Sequence, residues 1–153
     1  MKIKTSILVT AILVVSACTT TRTQQEAEAI NIECGFEMQA ARTAIRLRDK
    51  GTPKATLEAQ LVPVSRDSSR LLIKMHDIAN EAYQYTELNE TVYATYRFEL
   101  CQRELINKPM PGSLEQVMPQ LMHCQDRFAN QSSAQSTQCI LLAIRNAAEK
   151  HPN

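Results

Sequence analysis

Glycine is scarce in this chain, with three residues in 153, and tryptophan is absent. So few glycines exclude a fold built from many tight β-turns, which rely on glycine for positive φ. They also exclude a glycine-rich phosphate-binding loop. Aromatic residues make up only 5%, so any core must be mainly aliphatic and methionine. Neither charge sign dominates, with 17 Lys and Arg against 16 Asp and Glu. A chain this neutral lacks the basic footprint of a nucleic-acid binder. There is no C-x-x-C, no H-E-x-x-H and no G-x-S-x-G, the spacings of thiol exchange, zinc hydrolysis and serine nucleophiles. No cofactor or metal site is therefore expected. Apolar residues still reach 44%, enough for one folded domain rather than a disordered chain.

The N-terminus carries an address. Lys2 and Lys4 precede an apolar run over residues 7–15, and small residues follow at Ser16 and Ala17 before Cys18. That order is a secretory signal, too short to span a bilayer. The tetrapeptide Val15-Ser16-Ala17-Cys18 resembles the bacterial lipobox. The resemblance covers only the first 18 residues, and it implies cleavage before Cys18 and acylation of that cysteine. It thus implies a lipoprotein with residues 1–17 as signal peptide. Thr19 stands where inner-membrane retention signals usually show Asp. The expectation is the outer membrane, facing the periplasm or the cell surface. Loss of residues 1–17 removes two lysines and no acid, leaving 15 basic and 16 acidic side chains. The lipid, not charge, would do the attaching, at ~0.8 kcal/mol per buried methylene. Residues 18–25 read as a flexible tether, its seven residues after Cys18 spanning at most about 25 Å.

Apart from Cys18, four cysteines remain: Cys34, Cys101, Cys124 and Cys139. An even set in an exported chain reads as two disulfides. Three pairings are open. The favoured one joins Cys34 to Cys101 and Cys124 to Cys139; pairing Cys101 with Cys124 or Cys139 would instead lock the C-terminal helices onto the core.

Periodicity predicts an all-α, disulfide-stapled bundle of five or six helices. Ile30, Cys34, Met38, Ala41 and Ile45 form one stripe of a helix over 27–50, ended by Gly51. Thr52 reads as the cap of a short helix over 53–61, with Pro53 at its first position and Leu57 and Leu61 inward. Asp67 or Ser68 is the expected cap of a third helix, with Leu71, Leu72, Met75, Ile78, Ala79 and Ala82 inward. Asn89 caps a fourth over 90–106, burying Val92, Tyr93, Tyr96, Leu100 and Cys101. The run Lys108-Pro109-Met110-Pro111-Gly112 marks a boundary between a helical core over 26–106 and a helical hairpin over 113–150. Ser113 with Gln116, and Ser132 with Gln135, have capping-box spacing. Pro119 predicts a kink or break in the fifth helix. In the last helix Cys139, Leu142, Ala143 and Ala147 are expected inward.

Signals for chemistry are weak. His76, His123, Glu33 and Glu81 are the candidates for an enzyme, a hydrolase of cell-wall or lipid material, yet no spacing brings them together. The basic run Arg42, Arg46, Arg48, Lys50 and Lys54 offers a surface for an acidic partner. Tyr83, Tyr85, Tyr93 and Tyr96 cluster around one turn between helices, and tyrosine is enriched at interfaces. Tyr83, Tyr85, Tyr93, Arg42 and Arg46 are thus the candidate partner-binding residues. The reading they favour is a non-enzymatic, lipid-anchored envelope protein that binds or supports another envelope or secretion-system protein, with no nucleic acid involved. An exclusion or inhibitor lipoprotein, or one loosely like helical acid-stress chaperones in size and helicity, fits the same features less specifically.

Overall fold

A computed structural model describes residues 7–65, 68–128 and 133–150, with side chains from residue 23 onward. The described chain is all-α: α1 (Ile7–Asp49), α2 (Lys54–Glu58), α3 (Arg70–Gln84), α4 (Glu90–Leu105), α5 (Leu114–Phe128) and α6 (Ala134–Lys150). The chain divides into two units, Met1–Ile32 and Glu33–Asn153. In the first, the backbone of residues 19–25 is helical, where the sequence suggested an irregular tether. No proline or glycine falls between Ile7 and Gly35 to stop a helix. Extending an existing helix fixes one residue per hydrogen bond gained, so polar residues follow readily. No described helix is long and apolar enough to cross a membrane.

The second unit is held by two cysteine pairs, Cys34–Cys101 and Cys124–Cys139, the favoured pairing. The first staples α1 to α4 and the second staples α5 to α6. Helix ends follow local chemistry. Gly51 adopts φ +78°, the Gly51 amide donates to the Arg48 carbonyl, and the Thr52 amide donates to the Leu47 carbonyl. That is a Schellman stop. The same motif ends α4, with Asn107 at φ 53° and the Lys108 amide donating to the Arg103 carbonyl. Asn89 caps α4 as expected, its side chain accepting from the Val92 amide at 2.9 Å.

Other caps shift by a residue. Pro53, not Thr52, is the cap position of α2, because the Pro53 carbonyl accepts the first helical bonds, from the Thr56 and Leu57 amides. Ser69 caps α3 through the Leu72 amide, where the sequence offered Asp67, outside the described residues, or Ser68. Ser133 accepts from the Ser136 amide at the start of α6; Ser132 lies outside the described residues. Helix α5 continues through Pro119. Both Pro119 and Glu115, whose carbonyl loses its intrahelical donor, are exposed, so water can satisfy that carbonyl.

The expected boundary at residues 108–112 does not separate two bodies. One apolar cluster runs from Ala41 and Ile45 of α1 through Ile78, Val92 and Tyr96 to Leu121, Ile140 and Ile144. The connector is tied back by the Arg103 guanidinium, which donates to the Pro109 carbonyl at 2.9 Å. Gln125 of α5 accepts from the Asn89 amide and donates to the Glu87 carbonyl, fastening the hairpin to the α3–α4 turn. In α6 the buried stripe is Ser136, Ile140, Ala143, Ile144, Ala147 and Ala148. Leu142 is exposed, contrary to expectation, because the β-branched Ile140 and Ile144 take the inward face.

Candidate functional site

The tyrosine cluster is largely interior. Tyr93 and Tyr96 are buried, with rings stacked at 6.4 Å between centroids, so Tyr93 is a core residue and not the partner-binding residue expected. Burial, with the nearby Glu81 carboxylate next, pushes both phenols far above the ordinary tyrosine range. Tyr83 is half-buried and donates to the Thr52 carbonyl at 2.7 Å, tying α3 to the α1–α2 turn. Tyr85 is half-buried, and burial, followed by Glu115 and Glu81, raises it too.

The basic run is partly consumed inside the fold. Arg46 makes a two-pronged contact with Glu90, at 2.7 and 2.6 Å. Those hydrogen bonds hold the Glu90 carboxyl below its ordinary value. Arg48 donates to the carbonyls of Ala82, Tyr85 and Leu88, placing a cation at the C-terminal end of α3. Arg42 is half-exposed beside this group. The side chain of Cys18 lies outside the described side chains.

Between α1, α3 and α4 lies a network the sequence did not announce. Glu37 is 1% exposed and Arg97 5% exposed. Arg97 reaches Glu37 and Glu81, both at 3.2 Å. The Tyr93 hydroxyl lies 2.9 Å from the same Glu81 oxygen and 3.1 Å from the Ile78 carbonyl. Arg70 bridges Glu33, Glu37 and Glu104, and Lys74 joins Glu104. Burial alone would push Glu104 up, but hydrogen bonds from Arg70 and Lys74 hold it below the usual carboxylate range. Glu37 Oε1, Arg70 Nε and Arg97 Nε are buried without a hydrogen bond, although Arg70 Nη2 stands 3.1 Å from that Oε1. A signal for this network exists. Glu37 falls three residues after Cys34, and Arg97 four residues before Cys101, each inside an apolar stripe. Pairing the two cysteines brings the two charges face to face.

Of the enzyme candidates, Glu33 and Glu81 are engaged in this network. His76 Nε2 lies 2.8 Å from the Val62 carbonyl, and His123 is exposed on α5. The structure does not gather them. Among the described residues no group of three or more His, Cys, Asp or Glu can hold a metal ion.

A neighbouring face of α1 opens a groove of about 410 Å³. Phe36, Ala40, Thr43, Ala44 and Leu47 of α1 form one wall. Leu57, Gln60 and Leu61, on and just after α2, close one end. Leu71, Met75, Ile78 and Ala79 of α3 form the other wall, and Gln39 lies at the α1 edge. None of these side chains is ionisable. Phe36, 59% exposed, stands at the mouth. The groove offers shape and apolar contact, which are means of binding. No protein-family model, curated protein or solved structure matches the chain.

Proposed function

We propose that the chain is a lipoprotein of the bacterial cell envelope, acylated at Cys18, whose work is binding rather than turnover. It sits at the outer membrane facing the periplasm and binds or supports another envelope component, with an envelope or secretion-system protein as the partner class that the sequence favours. The anchor rests on the Val15-Ser16-Ala17-Cys18 tetrapeptide behind a charged and apolar leader. Two cysteine pairs suit an oxidising compartment such as the periplasm. The observation that carries the binding role is the α1–α3 groove, a recess of ligand-site volume lined only by apolar and uncharged side chains. The half-exposed Arg42 of α1, with Arg46 paired to Glu90 of α4, is a second surface for a protein partner.

The test has two parts. Metabolic labelling with an alkyne fatty acid, read by mass spectrometry, is expected to place acyl chains on Cys18, and Cys18→Ser to shift the chain out of the outer-membrane fraction. Crosslinking in intact envelopes is expected to recover a reproducible partner only with Cys18 intact. An unacylated wild-type N-terminus would remove the anchor, and the absence of any recurrent partner or ligand would remove the binding role.

A further inference from the structure

The groove has two properties that together narrow its occupant: an uncharged lining and a definite length. Its α1 wall runs from Phe36 to Leu47, a rise of about 16 Å at 1.5 Å per residue. The hydrocarbon core of a bilayer is ~30 Å thick, so one leaflet's chain is about 15 Å deep. The groove is thus as long as one acyl chain in its leaflet.

Its lining decides between occupants. An extended peptide would bring an amide and a carbonyl with every residue, and leaving those unpaired in an apolar recess is costly. The lining's polar side chains, Gln39, Thr43 and Gln60, are all exposed at the rim. The floor, with Ala44, Leu57, Ile78 and Ala79 buried, offers no partner. An amphipathic helix would lay one side along this open groove and keep the rest in water, so a helical partner segment is the competing occupant that the experiment separates from a hydrocarbon chain. A charged ligand would find no counter-ion in the lining. A single hydrocarbon chain brings no polar group, carries no charge and matches the length. We infer that the α1–α3 groove is a site for one acyl chain of a bilayer phospholipid, the headgroup staying outside the rim. This rests on the reading of the groove as the protein's binding site, and it replaces a protein segment with a lipid chain as the groove's occupant.

The full chain is reconstituted in vesicles of phosphatidylethanolamine and phosphatidylglycerol containing a phospholipid with a diazirine near the end of one acyl chain. After irradiation, mass spectrometry is expected to find the label on groove residues such as Ala40, Thr43, Leu57 and Met75. Thr43 is exposed, so Thr43→Trp fills the groove without disturbing the core, and is expected to abolish that label while the far-ultraviolet circular dichroism stays unchanged. Equal labelling of wild type and Thr43→Trp overturns the inference. So does a label confined to exposed apolar residues elsewhere, such as Ile106 or Leu142, or an envelope protein segment crosslinked into the groove through a photo-reactive residue at position 36. The mass of the N-terminal peptide of the cell-derived protein, read in the same spectra, tests the anchor separately. An acylated Cys18 with an unlabelled groove sinks the acyl-chain site and leaves the anchor standing; an unmodified Cys18 with a labelled groove does the reverse.

Discussion

Replacing Arg97 with methionine removes the side chain that, among the described residues, joins Glu37 to Glu81. Two contacts at 3.2 Å are lost. At an effective dielectric constant of ~20, each such contact is worth about 5 kcal/mol of attraction. Desolvation of each buried ion offsets several kcal/mol of that, so the intact network adds little net stability. Breaking it is different. Glu37, 1% exposed, would keep Arg70 as its cationic neighbour among the described residues and could not recover its lost hydration. The expected cost is 3–5 kcal/mol, or roughly 10 °C in Tm for a chain of this size. Equilibrium urea unfolding at pH 7, followed by circular dichroism, would read it as a lower midpoint at unchanged slope. The double change Glu37→Gln with Arg97→Met takes away both buried charges and is expected to recover most of the loss. A single-variant cost below about 1 kcal/mol, or a double variant less stable than the single, would refute the claim that an unpaired buried charge dominates here.

The other expectations concern staples, titration and two glycines. Removing the Cys124–Cys139 pair as a double serine variant should cost about 3 kcal/mol, and removing Cys34–Cys101 about 4, from loops of 15 and 67 residues; a reversed order in urea midpoints would contradict the loop-entropy account. Tyr93 and Tyr96 titrate far higher folded than unfolded, so the unfolded chain loses their protons first. Stability present below pH ~10 should therefore fall as pH rises above it, and Tyr96→Phe should flatten that limb in an alkaline unfolding series. Glu104 is depressed when folded, so its contribution holds above the unfolded carboxylate pKa of about 4.3 and is lost as pH falls below it; Glu104→Gln should weaken the acid limb. Gly51→Ala, at φ +78°, should destabilise by about 1 kcal/mol, whereas Gly35→Ala, in mid-helix with open space at its Cβ, should stabilise by a comparable amount.

Much of this fold was legible because it is written in short-range signals. Asn89, Gly51 and the helical stripes act within a turn or two of their own positions. The cysteine pairing was legible for a related reason: a separation of 15 residues suits adjacent antiparallel helices. The misses need partners from far along the chain. Glu37 and Arg97 lie 60 residues apart, and a charge inside an apolar stripe names no partner until the Cys34–Cys101 pairing brings the two stripes together. Leu142 loses the inward face of α6 to Ile140 and Ile144 through packing against α4 and α5, which no local pattern ranks. Tyr93 was ambiguous because an apolar ring with a hydroxyl suits both a core edge and an interface. The groove was the least legible feature, because its walls come from three elements and its character lies in what those walls omit.

These features have a common origin in the small size of the core residues. Alanine supplies Ala41, Ala44, Ala79, Ala82, Ala94, Ala143, Ala147 and Ala148 of the buried set, and such side chains bury little apolar area each. A helix facing a neighbour through alanine gains less from contact than one facing it through leucine, so the chain needs other fasteners. On α1 those fasteners lie on one side: Glu33 and Glu37 hold Arg70 and Arg97, and Cys34 holds Cys101. Phe36, Ala40, Thr43 and Leu47 lie on another side and face α3 across the groove. Had apolar packing alone seated α1, the best arrangement would have closed that gap, since an unfilled apolar recess forfeits dispersion contacts along its lining. Bolting the helix through a disulfide and buried ion pairs beside the recess allows the recess to persist in a stable fold. The buried ion network and the apolar groove are on this account two faces of one device, and weakening the first should let the second collapse.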